Sequence, residues 1–402
     1  MANLLPVEEA VGRIVAGVMA LGGETVALAD ADGRTLAADL AAKRTQPPFD
    51  ASAMDGYAVR ADDLATLPAR LKVTGMAAAG AGFVGSVGPG ETVRIFTGAP
   101  VPEGADTILI QENAEVQDDG TIIGREPVKR GRFVRKAGLD FTAGDVLLTQ
   151  GRRMGMREIA LAAAMGYGIV PARQLPLVAI VSTGDELVPP GTMPAGDQIV
   201  AATAPGLAAY VRSLGADAHD LGIVQDSVEA IGVVTDQAKT LGAHILVTLG
   251  GASVGEHDLV AKGLAAKGMT LDFWKIAMRP GKPLMFGKID AMRVLGLPGN
   301  PVSSLVCAIL FLRPLIDALL GRPASDISEP AILGAEVAAN DGREDYVRAR
   351  LAMSDAGPVA TTLPVQDSSM LSALSAADCL LIRAPNAPAA KAGERCRIIR
   401  LP

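Results

Sequence analysis

Aromatic side chains are scarce, at 3% of the chain, which leaves no interleaved platform for stacking the bases of single-stranded nucleic acid. Cysteine is rarer still: Cys307, Cys379 and Cys396 are the only three, and none forms a C-x-x-C pair. An odd count without paired spacing excludes a disulfide framework and reads as buried thiols of a reducing compartment. The three histidines, His219, His244 and His257, show no metal-ligand spacing, which argues against a zinc site. A net charge of −7 argues against a general binder of nucleic acid or anionic membrane, so any anion site must be local. The longest uncharged apolar stretch, near Leu305–Leu312, is too short to span a bilayer. Glu8, Glu9 and Arg13 sit within the first helical pattern, unlike a signal peptide. A soluble cytoplasmic protein is expected.

What is present is glycine, proline and aliphatic residue. The 402 residues are 49% hydrophobic and contain 45 Gly and 26 Pro, enough for roughly two to four domains with cores of their own. Val7 to Leu21 repeats apolar residues at helical spacing and ends at Gly22-Gly23. From Arg70 to Pro127 short β-like runs (Glu91–Phe96, Thr107–Gln111, Thr121–Gly124) alternate with Gly and Pro turns. Arg157–Met165 returns to helix and stops at Gly166. From Pro176 onward strands and helices alternate: Leu177–Val181, Pro205–Leu214, Ala218–Val224, a helix capped by Asp226 or Ser227, His244–Leu249, and a helix from Asp258 to Lys267. This is the spacing of a doubly wound parallel sheet. Beyond Gly321, Tyr346–Met353, Cys379–Arg383 and Arg395–Leu401 read as strands of a small barrel-like domain.

Three glycine-rich loops follow apolar runs within this alternation. They are Ser182-Thr183-Gly184-Asp185-Glu186, Gly250-Gly251-Ala252-Ser253-Val254-Gly255-Glu256-His257-Asp258, and Pro298-Gly299-Asn300-Pro301-Val302-Ser303-Ser304. Glycine lets backbone approach a ligand closely, and ligands of open parallel sheets bind where the carboxyl ends of the strands emerge. In the third loop Asn300 is placed to cap a helix and Pro301 to be its first residue, with Ser303 and Ser304 in the first turn. Pro314 is expected to kink the apolar segment that follows.

The chemistry-bearing residues are carboxylates, cations and hydroxyls. Asp185 and Glu186, adjacent at a strand end, can hold a hard cation such as Mg²⁺, or one of them can cap a turn. Asp258 can be a helix cap, a metal contact, or both. Arg279 and Lys282 flank Pro280-Gly281 and suit an oxyanion, or form a solvated surface loop. Ser182, Thr183 and Ser253 could donate to the same anion. Trp274, the only tryptophan, is expected in the core. Ser52, Asp55, Thr97 and Asp140 in the N-terminal half carry no catalytic spacing and could be turn chemistry.

Six motifs in order resemble one family. They are Ser52-Ala53-Met54-Asp55-Gly56-Tyr57-Ala58-Val59, Thr97-Gly98-Ala99-Pro100-Val101-Pro102-Glu103-Gly104-Ala105-Asp106, Ser182-Thr183-Gly184-Asp185-Glu186-Leu187, Gly250-Gly251-Ala252-Ser253-Val254-Gly255, Pro280-Gly281-Lys282-Pro283 and Leu297-Pro298-Gly299-Asn300-Pro301-Val302-Ser303. The chain resembles the molybdopterin molybdenumtransferases, the MoeA and gephyrin E-domain family, from about residue 5 to its end. The resemblance implies an α/β plus β, multidomain, elongated subunit. Its parts would be an N-terminal linker and dimerisation domain (1–45 and 138–174), an inserted β-rich domain (46–137), a doubly wound MogA-like α/β molybdopterin-binding domain (175–322) and a C-terminal β-barrel domain (323–402). It also implies a homodimer with active sites shared between chains. The implied reaction is Mg²⁺-dependent insertion of molybdate into adenylylated molybdopterin with release of AMP. Contacts with a molybdopterin adenylyltransferase and with acceptor molybdoenzymes are implied as well.

By motif, Glu186, Asp185, Asp140 and Thr97 would be catalytic, with Thr97 and Asp140 supplied by the other subunit. Asp185, Glu186 and Asp258 would hold the metal. Ser182, Thr183, Gly184, Gly250, Gly251, Ser253, Gly255, Arg279, Gly281, Pro298, Gly299, Asn300 and Asp55 would bind the pterin nucleotide. Lys282 and Ser303 would face the molybdate, near Ser368, Ser369 and either Arg343 or Arg348.

Three positions depart from the family pattern. His244 stands where an Asp is usual, Leu249 where a Ser precedes Gly-Gly, and Ala202-Thr203 where Ser-Asn is usual. If His244 reached the ligand it would supply only part of a carboxylate's pairing; alternatively it lies inside the sheet. These departures favour a second reading, a relative that binds pterin or a partner protein without efficient metal insertion. A generic nucleotide-binding α/β enzyme would leave the N-terminal motifs unexplained.

Overall fold

The computed structural model describes residues 4–250 and 259–402. Helix α1 (Val7–Val15) buries Val7, Ala10 and Ile14 on one stripe, with Glu8 and Glu9 in its first turn and Arg13 in its last. It is shorter than the pattern to Leu21 predicts. Ala16 leaves the helix at ψ 125° and Gly17 takes φ +66°, a conformation glycine adopts without strain. The N-terminal segment pairs with sequence far downstream. Gly23–Ala27 lies antiparallel to Ile169–Arg173, and Leu40–Ala41 to Val146–Leu148. Helix α2 (Met156–Ala164) packs into the same small core through Ala162. Between these returns, a separate six-stranded sheet is built from strands lying between Gly56 and Gly124.

The site is carried by a second six-stranded sheet. Its strands are β1 (Leu177–Thr183), β2 (Asp217–Val224), β3 (Ile245–Leu249), β4 (Thr270–Trp274), β5 (Met285–Ile289) and β6 (Met292–Leu297), in the spatial order β2-β1-β3-β6-β5-β4. The first four in that order are parallel; β5 and β4 close the sheet as antiparallel strands. Both faces are covered, which is why the strands read as continuous apolar runs. Val178 and Ile180 face α1, α3 (Thr203–Ser213) and α6 (Pro301–Cys307), while Ala179 and Val181 face α4 (Val228–Thr240) and α5 (Leu259–Ala266). Of the two candidate caps of α4, Ser227 is the one used: its Oγ accepts the Ala230 N–H at 3.1 Å. Trp274 packs half-buried against the second of these cores.

The apolar segment after the third loop forms α6, a π-helical turn (Ala308–Leu312) and α7 (Arg313–Leu319). Pro314 lacks an N–H and its ring crowds the carbonyl four residues back, and the wide π turn directly before it absorbs both effects. Pro301–Leu319 is long and apolar enough to cross a membrane by length and composition, a longer apolar helix than the uncharged stretch suggests, but 72% of it is buried against the protein. Its apolarity is that of a core helix.

Five C-terminal strands, Ser328–Leu333, Glu344–Ser354, Gly357–Thr362, Cys379–Arg383 and Arg395–Arg400, pair in a closed ring. Closure leaves no free edge among them. Met278–Arg279 adds to the Glu344 strand in parallel and ties the barrel to the α/β sheet.

Candidate active site at the carboxyl ends of the parallel strands

Strand register brings the three glycine loops side by side. Ser182 is opposite Leu249, Leu249 opposite Leu297, and Thr183 opposite Val224. The loops therefore leave the sheet together, at the end where α/β ligands bind. Their described residues border a cleft of about 620 Å³ lined by Ser182, Thr183, Glu186, Asp226, Gly250, Pro298, Gly299, Asn300 and Ser369, together with the run Ile199–Thr203. Gly250 is required at its position: φ is +96°, and a Cβ would sit 2.7 Å from the Thr183 carbonyl oxygen. A groove of about 650 Å³ beside β2 and α4, lined by His219, Asp220 and Asp236, is more open and gathers none of the loop residues.

Carboxylates converge at one end of the cleft. The Asp226 N–H donates to Asp185 Oδ1 at 3.4 Å. Burial raises the Asp226 carboxyl above its ordinary range, the charges of Asp185 and Glu186 raise it further, and a hydrogen bond with Thr183 opposes them. Asp226 Oδ1 is buried with no hydrogen-bond partner among the described residues. Sequence analysis offers Asp226 only as a helix cap; its signal as a site residue was its place just past the end of β2. Among the described residues no group of three or more His, Cys, Asp or Glu side chains is arranged to hold a metal. Gly251, Ser253, Gly255 and Asp258 lie outside the described residues.

At the other end the C-terminal barrel contributes a serine loop. Asn300 holds the N-cap position of α6 and Pro301 follows as its first residue, but the Asn300 side chain makes no capping bond; its amide donates to Ser368 Oγ at 3.0 Å, and the Val302 N–H donates to the Ser368 carbonyl at 3.1 Å. Ser369 reaches the cleft, its hydroxyl donating to Asp367 Oδ1 at 2.6 Å. Arg348, 2% exposed, supports this loop from behind by donating to Gln366 Oε1 at 3.3 Å and the Asp367 carbonyl at 2.9 Å. Ser303 is buried in the first turn of α6, and Ser304 is spent locally, its hydroxyl donating to the Pro298 carbonyl.

Several expected residues are not on the cleft wall. Arg279 is clamped by Asp345, with Nε–Oδ1 at 3.0 Å and Nη2–Oδ2 at 2.6 Å, and lines a separate hollow against the barrel. Lys282 is exposed, and Gly281 is packed against the Cys307 thiol. Arg343 is paired with Asp341 at 2.8 Å. Gly184 is packed against the Glu186 carboxylate, and Asp185 is exposed without lining the cleft. His244 lies at the foot of β3, the strand end opposite Gly250, so it does not face the cleft. Five strand residues stand between it and Gly250, a separation of roughly 20 Å at strand rise.

Asp55, Thr97 and Asp140 do not line the cleft of their own chain. Asp55 and Thr97 form one unit: Asp55 Oδ1 accepts the Thr97 N–H at 2.7 Å and its hydroxyl at 2.8 Å. These bonds hold the Asp55 carboxyl below its ordinary range. Asp140 is exposed.

A sheet with aligned glycine loops, carboxylates at one end of the cleft and a barrel-borne serine loop at the other defines a MogA-like ligand domain set within a larger enzyme. Family models match three stretches: the MoeA N-terminal region (domain I and II) over residues 5–166, a probable molybdopterin binding domain over 179–318, and the MoeA C-terminal region (domain IV) over 330–401. The molybdopterin molybdenumtransferase of Haemophilus influenzae is 34% identical over 93% of both chains. That of Bacillus subtilis is 33% identical over 94% of this chain and 90% of its own. The crystal structure of the molybdopterin biosynthesis MoeA protein of Pyrococcus horikoshii OT3 superposes with a TM-score of 0.86 at 26% identity, covering 99% of this chain and 100% of that one. The chain belongs to the molybdopterin molybdenumtransferase (MoeA) family, transferases of molybdenum cofactor biosynthesis.

Proposed function

We propose that this protein inserts molybdate into adenylylated molybdopterin and releases AMP, with Mg²⁺ required. The observation that carries the reading is the buried, partnerless Asp226 oxygen beside Asp185 and Glu186 at one end of the cleft. Hard carboxylate oxygens left without a counter-charge fit a cation such as Mg²⁺, which is held by one or two carboxylates plus substrate phosphates. Asp185, Glu186 and Asp226, joined by Asp258, would hold it; when bound, it would neutralise charge on the phosphates as AMP leaves.

The remaining work falls to side chains and backbone of this chain. The Ser182 hydroxyl donates to the phosphate oxygens, and the Gly250 turn lets backbone come close to them. Ser369, with Ser368 and Asn300 behind it, positions the tetrahedral oxyanion at the barrel end. Arg348 keeps that loop in place. Lys282, exposed and next to Pro283 on the cleft wall, would face the molybdate.

The second chain supplies Asp55, Thr97 and Asp140, so the working unit is a homodimer. Support comes from the absence of these residues from the cleft of their own chain, although the Asp55–Thr97 pair is already organised. The four-part division (1–45 with 138–174, 46–137, 175–322, 323–402), a cytoplasmic location, and contacts with a molybdopterin adenylyltransferase and acceptor molybdoenzymes belong to the same proposal.

A second reading, binding without efficient insertion, draws support from Leu249, Ala202 and Thr203 on the cleft wall; His244 no longer speaks for it. AMP release from adenylylated molybdopterin, with and without a chelator, decides between the two. Turnover that stops with chelator and falls at least about ten-fold in Glu186→Gln, some 1.4 kcal/mol, is expected. Turnover indifferent to chelator would overturn the metal role. Failure to rescue nitrate reductase in a molybdate-insertion mutant would favour the binding protein.

A further inference from the structure

The wall of the cleft formed by Ile199–Ala202 is unusual in having almost nothing to donate. Its side chains are Ile, Val, Ala and Ala. Three of its four backbone donors are spent internally: Ile199 N–H on the Glu186 carbonyl at 2.8 Å, Ala201 on Val188 at 2.9 Å, and Ala202 on Val200 at 2.8 Å. Ile199 is nevertheless 54% exposed and Val200 36% exposed, at the cleft mouth. Around the same cleft stand Pro283, Pro298 and Pro301, which have no N–H, with Leu249 and Leu371. Among the described residues the polar side chains on the cleft are Thr203, just past this wall, then Ser182, Thr183, Glu186 and Asp226 at one end and Asn300 and Ser369 at the other.

We propose that Ile199–Ala202 is a specificity wall that grips a flat heterocycle by apolar contact, so that this wall does not read hydrogen-bonding groups on the ring edge. Selection then falls on the anionic part of the ligand. An apolar wall discriminates weakly between rings of one shape, whereas a wall built to hydrogen-bond a ring edge rejects the wrong edge strongly, because its own buried groups would be left unpaired. The inference rests on the reading of the cleft as the seat of an adenylylated pterin.

AMP, IMP and GMP share one phosphate and differ at the ring edge, and titration calorimetry on the full chain compares them. The expected result is three affinities within about three-fold of one another. Ile199→Asn and Ala202→Asn each place an amide on the wall at a surface position, where folding is little affected. Either is expected to open a spread of about ten-fold among the nucleotides. A wild-type protein that already discriminates ten-fold or more, on the order of a full hydrogen bond, would overturn the proposal. So would two folded variants with no added spread, or no binding of any nucleotide. AMP release on the same preparations keeps the two readings apart. Turnover with a discriminating wild type sinks the wall alone. Indiscriminate binding without turnover sinks the transferase reading and leaves the wall.

Discussion

The Leu177 N–H donates to His244 Nδ1 at 3.0 Å, and the His244 N–H returns to the Leu177 carbonyl at 2.9 Å. The imidazole thus acts as a rung between β1 and β3 at the end of the sheet away from the ligand. Burial pushes its pKa below the ordinary 6.5. A depressed folded pKa means that this contribution to stability is complete above that ordinary value and is lost as pH falls through the folded one. The urea midpoint should therefore drop between about pH 7.5 and about pH 5, and less steeply in His244→Gln. His244→Ala should cost about 1 kcal/mol, the price of one hydrogen bond. His244→Asp should leave ligand affinity within about two-fold of wild type; a tightening of five-fold or more, on the order of one recovered bond, would put the residue back at the ligand.

Asp226 should behave as a group kept for function at a cost in stability. Its folded pKa is raised, by burial first and then by Asp185 and Glu186. Stability from such a group is present below its unfolded pKa and lost as pH rises through the folded one. At neutral pH, Asp226→Asn is therefore expected to raise the melting temperature without cation. The same variant should lose at least about ten-fold in turnover, some 1.4 kcal/mol. It should also lose most of the melting-temperature gain that Mg²⁺ confers on the wild type. A variant that melts lower and still responds fully to Mg²⁺ would remove Asp226 from the cation site.

The proposed sharing of each site between two chains is tested by mixing. Asp55→Asn and Glu186→Gln chains should each be nearly inactive alone. In a random mixture half the dimers are mixed, and each mixed dimer holds one intact site, so about a quarter of wild-type activity should return. Mixed chains that stay as inactive as the parents, with exchange verified by light scattering or native mass spectrometry, would show that each chain builds its site alone.

Gly250→Ala tests the turn that joins the second loop to the first. At φ +96°, with the new Cβ 2.7 Å from the Thr183 carbonyl, the variant should lose about 1–3 kcal/mol in urea unfolding. Ligand affinity should fall with it, since Thr183 lines the cleft. Unchanged stability and binding would mean that the two loops are not held together there.

Much of the site could be read in the chain before folding was considered. Apolar runs ending in Gly184, Gly250 and Gly299 mark strand ends, because only a strand buried on both faces stays apolar throughout and only glycine permits the turn at Gly250. Alternation of strand and helix then places the three ends on one edge. That much is local, since it depends on neighbours in sequence.

What tertiary structure decided is where shared groups are spent. Asn300 takes the N-cap position as its sequence context predicts, yet its side chain bonds Ser368 and not the helix, because the barrel brings a hydroxyl within 3.0 Å of it. Arg279 looks like an anion ligand and instead meets Asp345, 66 residues away in sequence. Asp226 looks like a cap and becomes a strained carboxylate only because β2 ends beside β1, next to Asp185 and Glu186. His244 looks like a ligand-edge substitution and is a sheet rung. A side chain's chemistry is set by its type, but its partner is set by which strand lies next to its own, and hydrogen bonds and charge effects act only over the few ångströms that the fold closes.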